Sequence, residues 1–364
     1  MAARPRLRWL VVCCSLVASA ICAPAQDLAS QAAAARDADD VPRAIELYRQ
    51  GVKAKPDWPE GWWFLGLLYY ESHSFNEGRQ AFTEFTKLEE KAPAGWAYLG
   101  LCEFEAGEYE SALTHLDRAI ASGARPDPDV EQVLRFHHAL LLTRGGFFDQ
   151  ARQELQPFVQ RGIRDPVLIA GLGLNALEMR LVPQEAAAQR SLVEGAGQTV
   201  YSWIAGDSSQ AEAGFRSLLA AFPSTPGIHY LYATYLLAVR PEAMNGELQR
   251  ELEVNPANTR ARAALALRLA RAGDAAAALP LARKAVEERP DLAAAQYAYG
   301  VALTEAGTSH DAIEHLEAAV RLDPANLAHH TALATAYSEA GWYERARLER
   351  AESIRMARES RGPG

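Results

Sequence analysis

A repeating unit of about 34 residues is the feature that most constrains what this chain can fold into. Near the C-terminus three consecutive segments align without gaps, and the same residue types return at the same interval. The aligned positions are Pro256, Pro290 and Pro324, then Gly273, Gly307 and Gly341, then Ala278, Ala312 and Ala346. Self-similarity at a fixed period of this length is the signature of a repeat architecture.

Each period contains two apolar stripes at helical spacing, separated by a glycine turn and followed by a proline. The second stripe of one period, for example, runs through Ala312, Ile313, Leu316 and Ala319. Two helices joined by so short a turn predict an antiparallel hairpin. One such hairpin leaves an apolar face open, so we expect neighbouring hairpins to stack on one another.

Closer to the N-terminus the repeat carries a recognisable set of residues. Trp62, Leu65, Gly66, Tyr69 and Phe82 lie at the spacing of the tetratricopeptide signature, and the match returns one period later with Trp96, Leu99, Gly100, Gly107, Ala112, Leu116 and Ala119. The chain therefore resembles tetratricopeptide repeat proteins. The resemblance implies an all-α fold, an α-solenoid in the form of a right-handed superhelix of about ten 34-residue helix-turn-helix repeats.

This alignment predicts five regions along the chain. We expect a secretory signal peptide over 1–25, N-terminal repeats over 26–162, an irregular repeat and linker over 163–205, C-terminal repeats over 206–343, and a capping helix and tail over 344–364. In the irregular region the repeats come closer together, and we expect Gly195-Ala196-Gly197 to interrupt a helix there.

The segment 1–25 has the order of parts of a signal peptide. Arg4, Arg6 and Arg8 precede an uncharged apolar run, and small residues flank Pro24. We expect cleavage after Ala25 and a periplasmic or secreted protein. The alternative is an uncleaved membrane anchor, although a span needs roughly 20 apolar residues.

Composition narrows the partners that such an exported protein would bind. The net charge is −9, and removal of the signal peptide would leave 34 basic against 46 acidic residues, a net charge of −12. This surface would repel phosphate backbones and anionic lipid, so we expect no nucleic acid partner. We also expect no stable membrane insertion after the signal peptide is cleaved. Cys102 would be the only cysteine left, so no internal disulfide is expected.

The resemblance also predicts a binding surface. In tetratricopeptide superhelices, positions five and twelve of each first helix line a concave groove, and on this phase the groove side chains are Trp63, Tyr70, Phe104, Phe136, Trp203, His229 and Tyr297, with Leu140 and Thr331 at further positions. An aromatic groove of this kind could hold a segment of another protein. The alternative is that these side chains pack against neighbouring first helices as ordinary core.

No catalytic, cofactor or metal motif accompanies the repeats. His137-His138 and His329-His330 are adjacent pairs, which point about 100° apart on a helix, and H-E-x-x-H and paired-cysteine patterns are missing. We therefore expect a non-catalytic scaffold or adaptor that binds a protein or peptide, in cell-envelope assembly or secretion. The alternative is a periplasmic module that binds envelope polysaccharide and uses Trp63, Tyr70 and Trp203 as stacking platforms.

Overall fold

The computed structural model describes residues 23–122 and 128–359. The predicted signal peptide lies outside the described residues up to Cys22, and α1 begins at Ala23. Within the described ranges the chain forms nineteen α-helices and two short 3₁₀ turns, and no strand. The all-α expectation is confirmed.

The chain divides between Gly197 and Gln198 into two compact units, called here the N-terminal and the C-terminal unit. The helices of the N-terminal unit are α1 (Ala23–Asp37), α2 (Val41–Ala54), α3 (Pro59–Glu71), α4 (Phe75–Leu88), α5 (Pro93–Glu105), α6 (Tyr109–Ala121), α7 (Pro128–Gly145), α8 (Phe148–Gln160) and α9 (Pro166–Ala176). The unit boundary falls inside α10 (Arg190–Ile204).

The helices of the C-terminal unit follow the same order of hairpins. They are α11 (Ser208–Ala221), α12 (Ile228–Val239), α13 (Met244–Val254), α14 (Thr259–Arg271), α15 (Ala275–Glu288), α16 (Ala293–Glu305), α17 (Ser309–Leu322), α18 (Leu327–Glu339) and α19 (Tyr343–Glu359). Consecutive helices pack as pairs, such as α3 with α4 and α16 with α17. The structure thus confirms the predicted array of helix-turn-helix repeats.

A residue with a left-handed backbone conformation follows each first helix of the regular repeats. Gly107 and Gly307 have φ of 81° and 79°. Beyond Gly107, the N–H of Glu108 donates to the carbonyl of Glu103 at 2.8 Å. This is the bond of a Schellman turn, for which glycine is favoured because it has no Cβ. In the two preceding repeats Asp39 and His73 hold the same position, with φ of 60° and 59°.

Small residues let the two helices of a repeat approach closely, as the alignment predicts. A Cβ added to Gly100 would lie 2.6 Å from Leu116, and one added to Gly300 would lie 2.5 Å from Leu316. Both distances are too short for a real contact, so a larger residue at either position would require the facing leucine to shift. The apolar core runs along such joints through fully buried side chains, including Phe82, Leu116, Phe215 and Leu316.

A side chain on the first helix also holds the loop that precedes it. Trp62 Nε1 donates to the carbonyl of Pro56 at 2.8 Å, and Trp96 Nε1 donates to that of Glu90 at 2.8 Å. In later repeats other residue types supply the N–H donor to the matching carbonyl: Arg262 to Pro256, Gln296 to Pro290, and His330 to Pro324. The signature tryptophan therefore packs between the helices and also holds the preceding loop through a hydrogen bond from its indole N–H.

The glycines of the irregular region do not interrupt a helix, and the expectation for Gly195-Ala196-Gly197 is wrong. All three lie within α10. A Cβ on Gly197 would lie 1.8 Å from the carbonyl oxygen of Ile169, and one on Gly173 would lie 1.9 Å from that of Val193. These glycines are required because the backbones of α9 and α10 touch. The irregularity lies instead in residues 177–189, which carry only the 3₁₀ turn Ala187–Gln189.

Among the helices of residues 23–122 and 128–359, none combines the length and the apolar character that crossing a bilayer requires.

Candidate functional site

Trp63 lies on α3 with its ring against three other aromatic rings. Its centroid is 5.7 Å from Phe82, 5.1 Å from Phe85 and 5.5 Å from Tyr98. The first two belong to α4, the partner helix of the same repeat, and Tyr98 belongs to α5, the first helix of the next repeat. The ring is half-buried, so part of it still faces solvent.

Tyr70 lies two helical turns after Trp63, on the same side of α3. Its ring centroid is 5.7 Å from Phe75 and 5.4 Å from Tyr98, and it too is half-buried. Tyr98 therefore joins the two predicted groove residues, and the three rings are called here the aromatic face. Sequence reasoning missed Tyr98, although it follows Phe64 by one full period and so occupies a repeated position on a first helix.

The other predicted groove residues of the N-terminal unit pack more deeply. Phe104 is 3% exposed, and its ring lies 4.8 Å from that of His137 and 5.6 Å from that of Tyr109. Phe136 is half-buried, with its ring 5.7 Å from Phe158. Leu140 is buried in the same core.

In the C-terminal unit the predicted positions divide in the same way. Trp203 is half-buried, with its ring 5.7 Å from Tyr235. His229 is buried, and its Nδ1 lies 2.7 Å from Oε2 of Glu247. Tyr297 is buried, its ring lies 4.8 Å from that of His329, and its hydroxyl accepts a hydrogen bond from Arg271 at 2.7 Å. Thr331 is exposed. The half-buried rings are thus the ones open to a partner.

Carboxylates stand at the ends of the first helices beside the aromatic face. Glu71 is the last residue of α3, directly after Tyr70, and Glu105 is the last residue of α5. Burial and the nearby charge of Asp39 raise the pKa of Glu71 above its usual value. Among the described residues neither Glu71 nor Asp39 forms an ion pair with a basic side chain. The end of α3 therefore carries an uncompensated negative charge.

A buried histidine in the same unit bridges three helices. His138 on α7 is 6% exposed, with Nδ1 2.8 Å from Glu154 on α8 and Nε2 2.9 Å from Asp117 on α6. Burial of the ring acts against its charged form, but the bonds to Glu154 and Asp117 raise the pKa of His138 above its usual value. Sequence reasoning missed this bridge, because its acids come from two other helices.

A cavity of about 550 Å³ opens on another side of α4. It is lined by Trp62, Arg79, Gln80, Thr83, Glu84 and Glu103. Its charged groups have partners: Glu84 pairs with Lys87, Glu103 lies 2.7 Å from Nδ1 of His115, and Arg79 pairs with Glu108. This lining serves packing between charged helices and presents no convergent set of reactive groups.

The part of the chain that the structure describes offers no candidate metal site, and its one described cysteine is unreactive. No group of three or more His, Cys, Asp or Glu side chains there could hold a metal ion. Cys102 is completely buried, and burial raises the pKa of its thiol to about 12. Such a thiol stays protonated at neutral pH and is a poor nucleophile.

Comparison with known protein families gives one match, to the model described as Tetratricopeptide repeat, over residues 30–73, 65–129 and 263–326. These segments include the aromatic face and the regular repeats around Gly300. No curated protein matches the sequence.

Solved structures of repeat proteins are similar to the chain at low identity. The RS-1 ArsTM double mutant of MamA is 18% identical, with a TM-score of 0.38, over 45% of this chain and 93% of that one. The Cut9 and Hcn1 hetero-tetramer of APC/C gives 12% identity and a TM-score of 0.41, over 92% and 66%. Yeast Tom70 gives 13% and 0.37, over 92% and 85%.

Proposed function

We propose that the chain, which matches the tetratricopeptide repeat model over residues 30–73, 65–129 and 263–326, is a non-catalytic scaffold that binds a protein or peptide partner on the first-helix side of its repeats. One observation carries this proposal. The rings of Trp63 and Tyr70 are partly exposed, and both pack against the ring of the buried Tyr98. Rigid aromatic side chains held in this way are the residues on which binding energy concentrates in protein interfaces.

Protein binding fits the aromatic face better than glycan binding does. A sugar stacks on a free ring face, whereas the indole ring of Trp63 lies among three other aromatic rings, with centroids 5.7, 5.1 and 5.5 Å away. A peptide side chain can bind by contacting only the exposed part of such a ring and the backbone next to it. The glycan-binding alternative predicts that tryptophan fluorescence is quenched by polysaccharide fragments, and a flat titration would count against it.

We also propose that the protein is exported and works in cell-envelope assembly or secretion. The proposal rests on the basic start, the apolar run and the small residues around Pro24 in the segment 1–25. Mass spectrometry of the protein recovered from its host tests it. A mature N-terminus at Gln26 in the periplasmic or extracellular fraction would support export, whereas an intact cytoplasmic chain would contradict it.

Loss of a partner on substitution of Tyr70 tests the scaffold function. We expect affinity purification of the full-length chain from its host to recover at least one partner, and Tyr70→Ala to lose it while circular dichroism shows that the variant remains folded. Gln80→Ala, an exposed change on α4, is the matched control and should retain the partner. Equal recovery with both variants would contradict binding at the aromatic face.

A further inference from the structure

The aromatic face continues into a row of carboxylates. On α3, Tyr70 follows Trp63 by seven positions and lies on the same side of the helix, and Glu71 is the next residue, exposed at the C-terminal end of α3. The next first helix repeats the pattern, because Phe104 and Glu105 on α5 follow Tyr70 and Glu71 by one full period. Two consecutive first helices thus end with an aromatic residue followed by an acid.

Acids are unfavourable at these positions when nothing neutralises them. The C-terminal end of a helix carries partial negative charge, which favours a basic side chain in the last turn. Glu71 and Glu105 instead are the last residues of α3 and α5, and α1 ends in Asp37. Asp37 is neutralised by Arg36 at 2.9 Å. The other two lack such a basic neighbour in the last turn of their own helices.

The surroundings of Glu71 and Glu105 do not supply the missing cation. Asp39 is the charged group that acts on Glu71, and it adds a second negative charge. Glu105 lies 3.9 Å from Nε2 of His137, but burial lowers the pKa of that imidazole, so the ring is neutral at pH 7. This side of the first helices therefore combines partly exposed aromatic rings with carboxylates that no neighbouring positive charge neutralises.

We infer that the aromatic face, together with Glu71 at the end of α3, binds a basic segment of a partner protein that places a lysine or arginine beside Tyr70. The inference rests on the proposed function and names the chemistry of the partner. A cation over the exposed part of the Tyr70 ring gains from its π electrons, and the carboxylate of Glu71 at the same helix end attracts it.

A pair of charge-reversed peptides tests the inference on the full-length protein. The probes are a fluorescein-labelled peptide in which lysine alternates with leucine and alanine, and the same peptide with glutamate in place of lysine. We expect the anisotropy of the lysine peptide to rise on titration with the protein, and that of the glutamate peptide to stay flat. Binding should weaken as salt is added, because exposed charges are screened.

Glu71→Gln separates binding at this face from general attraction to an acidic protein. We expect about a five-fold loss of affinity for the lysine peptide, the effect of one partly exposed ion pair. The matched control, Glu287→Gln on α15, changes the net charge equally at an exposed position and should bind like the wild type. Glu71→Gln removes an unfavourable charge, so it should fold normally, and weaker binding would not reflect unfolding.

Three results would overturn the inference: no binding of the lysine peptide, equal binding of both peptides, or equal affinities of Glu71→Gln and the wild type. If the host partner is still recovered, and is still lost with Tyr70→Ala, only the charge assignment fails. If no partner depends on Tyr70 either, the proposed function fails with it.

Discussion

The backbones of Gly173 and Gly197 touch where α9 crosses α10. A Cβ atom on Gly173 would lie 3.0 Å from the nitrogen of Gly197, and a Cβ atom on Gly197 would lie 3.1 Å from the nitrogen of Gly173. Each would also press on a carbonyl oxygen of the facing helix, at 1.9 and 1.8 Å. Backbone atoms cannot move aside as the end of a side chain can, so this crossing depends on both glycines.

We predict that Gly173→Ala and Gly197→Ala each lower the free energy of unfolding by about 1–3 kcal/mol, the usual cost of overpacking. Gly246→Ala is the matched control, because Gly246 also lies in a helix, α13, and a Cβ there would meet nothing within 4 Å. It should be neutral or should stabilise by about 0.5–1 kcal/mol. Urea denaturation followed by circular dichroism checks all three, and a neutral Gly173→Ala would contradict the close crossing.

The bridge through His138 predicts a pH-dependent stability. Its pKa in the folded protein is raised above the 6.5 of an ordinary histidine. The stabilisation is therefore fully present below pH 6.5 and is lost as the pH rises through the folded value. We expect His138→Gln to destabilise the protein by about 1.5–3 kcal/mol at pH 6, the value of a hydrogen bond to a charged group. At pH 9 the difference should be smaller.

Urea denaturation of the wild type and His138→Gln across this pH range measures the effect, with His310→Gln at an exposed position as the control. A difference between wild type and His138→Gln that does not change with pH would show that the ring is not charged in the folded protein. Arg135, which also contacts Glu154 at 3.1 Å, remains in the variant and keeps that carboxylate paired.

Glu251 joins three helices of the C-terminal unit. It is completely buried and accepts hydrogen bonds from the N–H of Gly227 at 2.9 and 3.1 Å, the N–H of Tyr230 at 3.2 Å and Nδ2 of Asn258 at 2.9 Å. Glu251→Ala leaves these donors without an acceptor, so we predict a loss of more than about 3 kcal/mol. Thermal unfolding of this variant and of Glu253→Ala checks it. Glu253 is exposed on the same helix, and its replacement should cost less than about 0.5 kcal/mol.

Glu71 should reduce stability at neutral pH. Its pKa is raised in the folded state, so the folded protein disfavours the ionised form. The penalty is absent below the ordinary value of 4.5 and grows as the pH rises through the folded pKa. We expect Glu71→Gln to stabilise the protein by about 0.3–1 kcal/mol at pH 7, as for removal of an acid from a helix C-terminus. Denaturation at pH 7 and pH 4 measures this. A destabilising Glu71→Gln would indicate a cationic partner within the protein.

The repeats can be predicted from the sequence because each depends on residues close together in the chain. Gly100 and Gly300 lie where the two helices of their repeats meet, as predicted. In each repeat the leucine 16 positions later, Leu116 or Leu316, packs opposite the glycine. Gly195 and Gly197 depart from the expectation of an interrupted helix, and for Gly197 the reason is a second backbone that lies against it. That second backbone belongs to α9, which is separated from α10 in the sequence by residues 177–189. The residues around Gly197 therefore do not predict the contact.

The candidate site can be predicted only in part for the same reason. The repeat register places Trp63 and Tyr70 on the correct side of α3, but burial depends on the neighbouring helices. Phe104 occupies the position equivalent to Tyr70 and is closed off by His137 from α7. The charge environment of Glu71 depends on Asp39, in a different repeat.

Photocrosslinking inside the host tests the central claim most directly. A photoreactive amino acid at position 63 probes the aromatic face, and one at position 76, exposed on α4, is the control. We predict that position 63 captures a protein partner, identified by mass spectrometry, that position 76 does not capture. The same adducts from both positions, or none from position 63, would contradict binding at the aromatic face and would assign Trp63 and Tyr70 to packing alone.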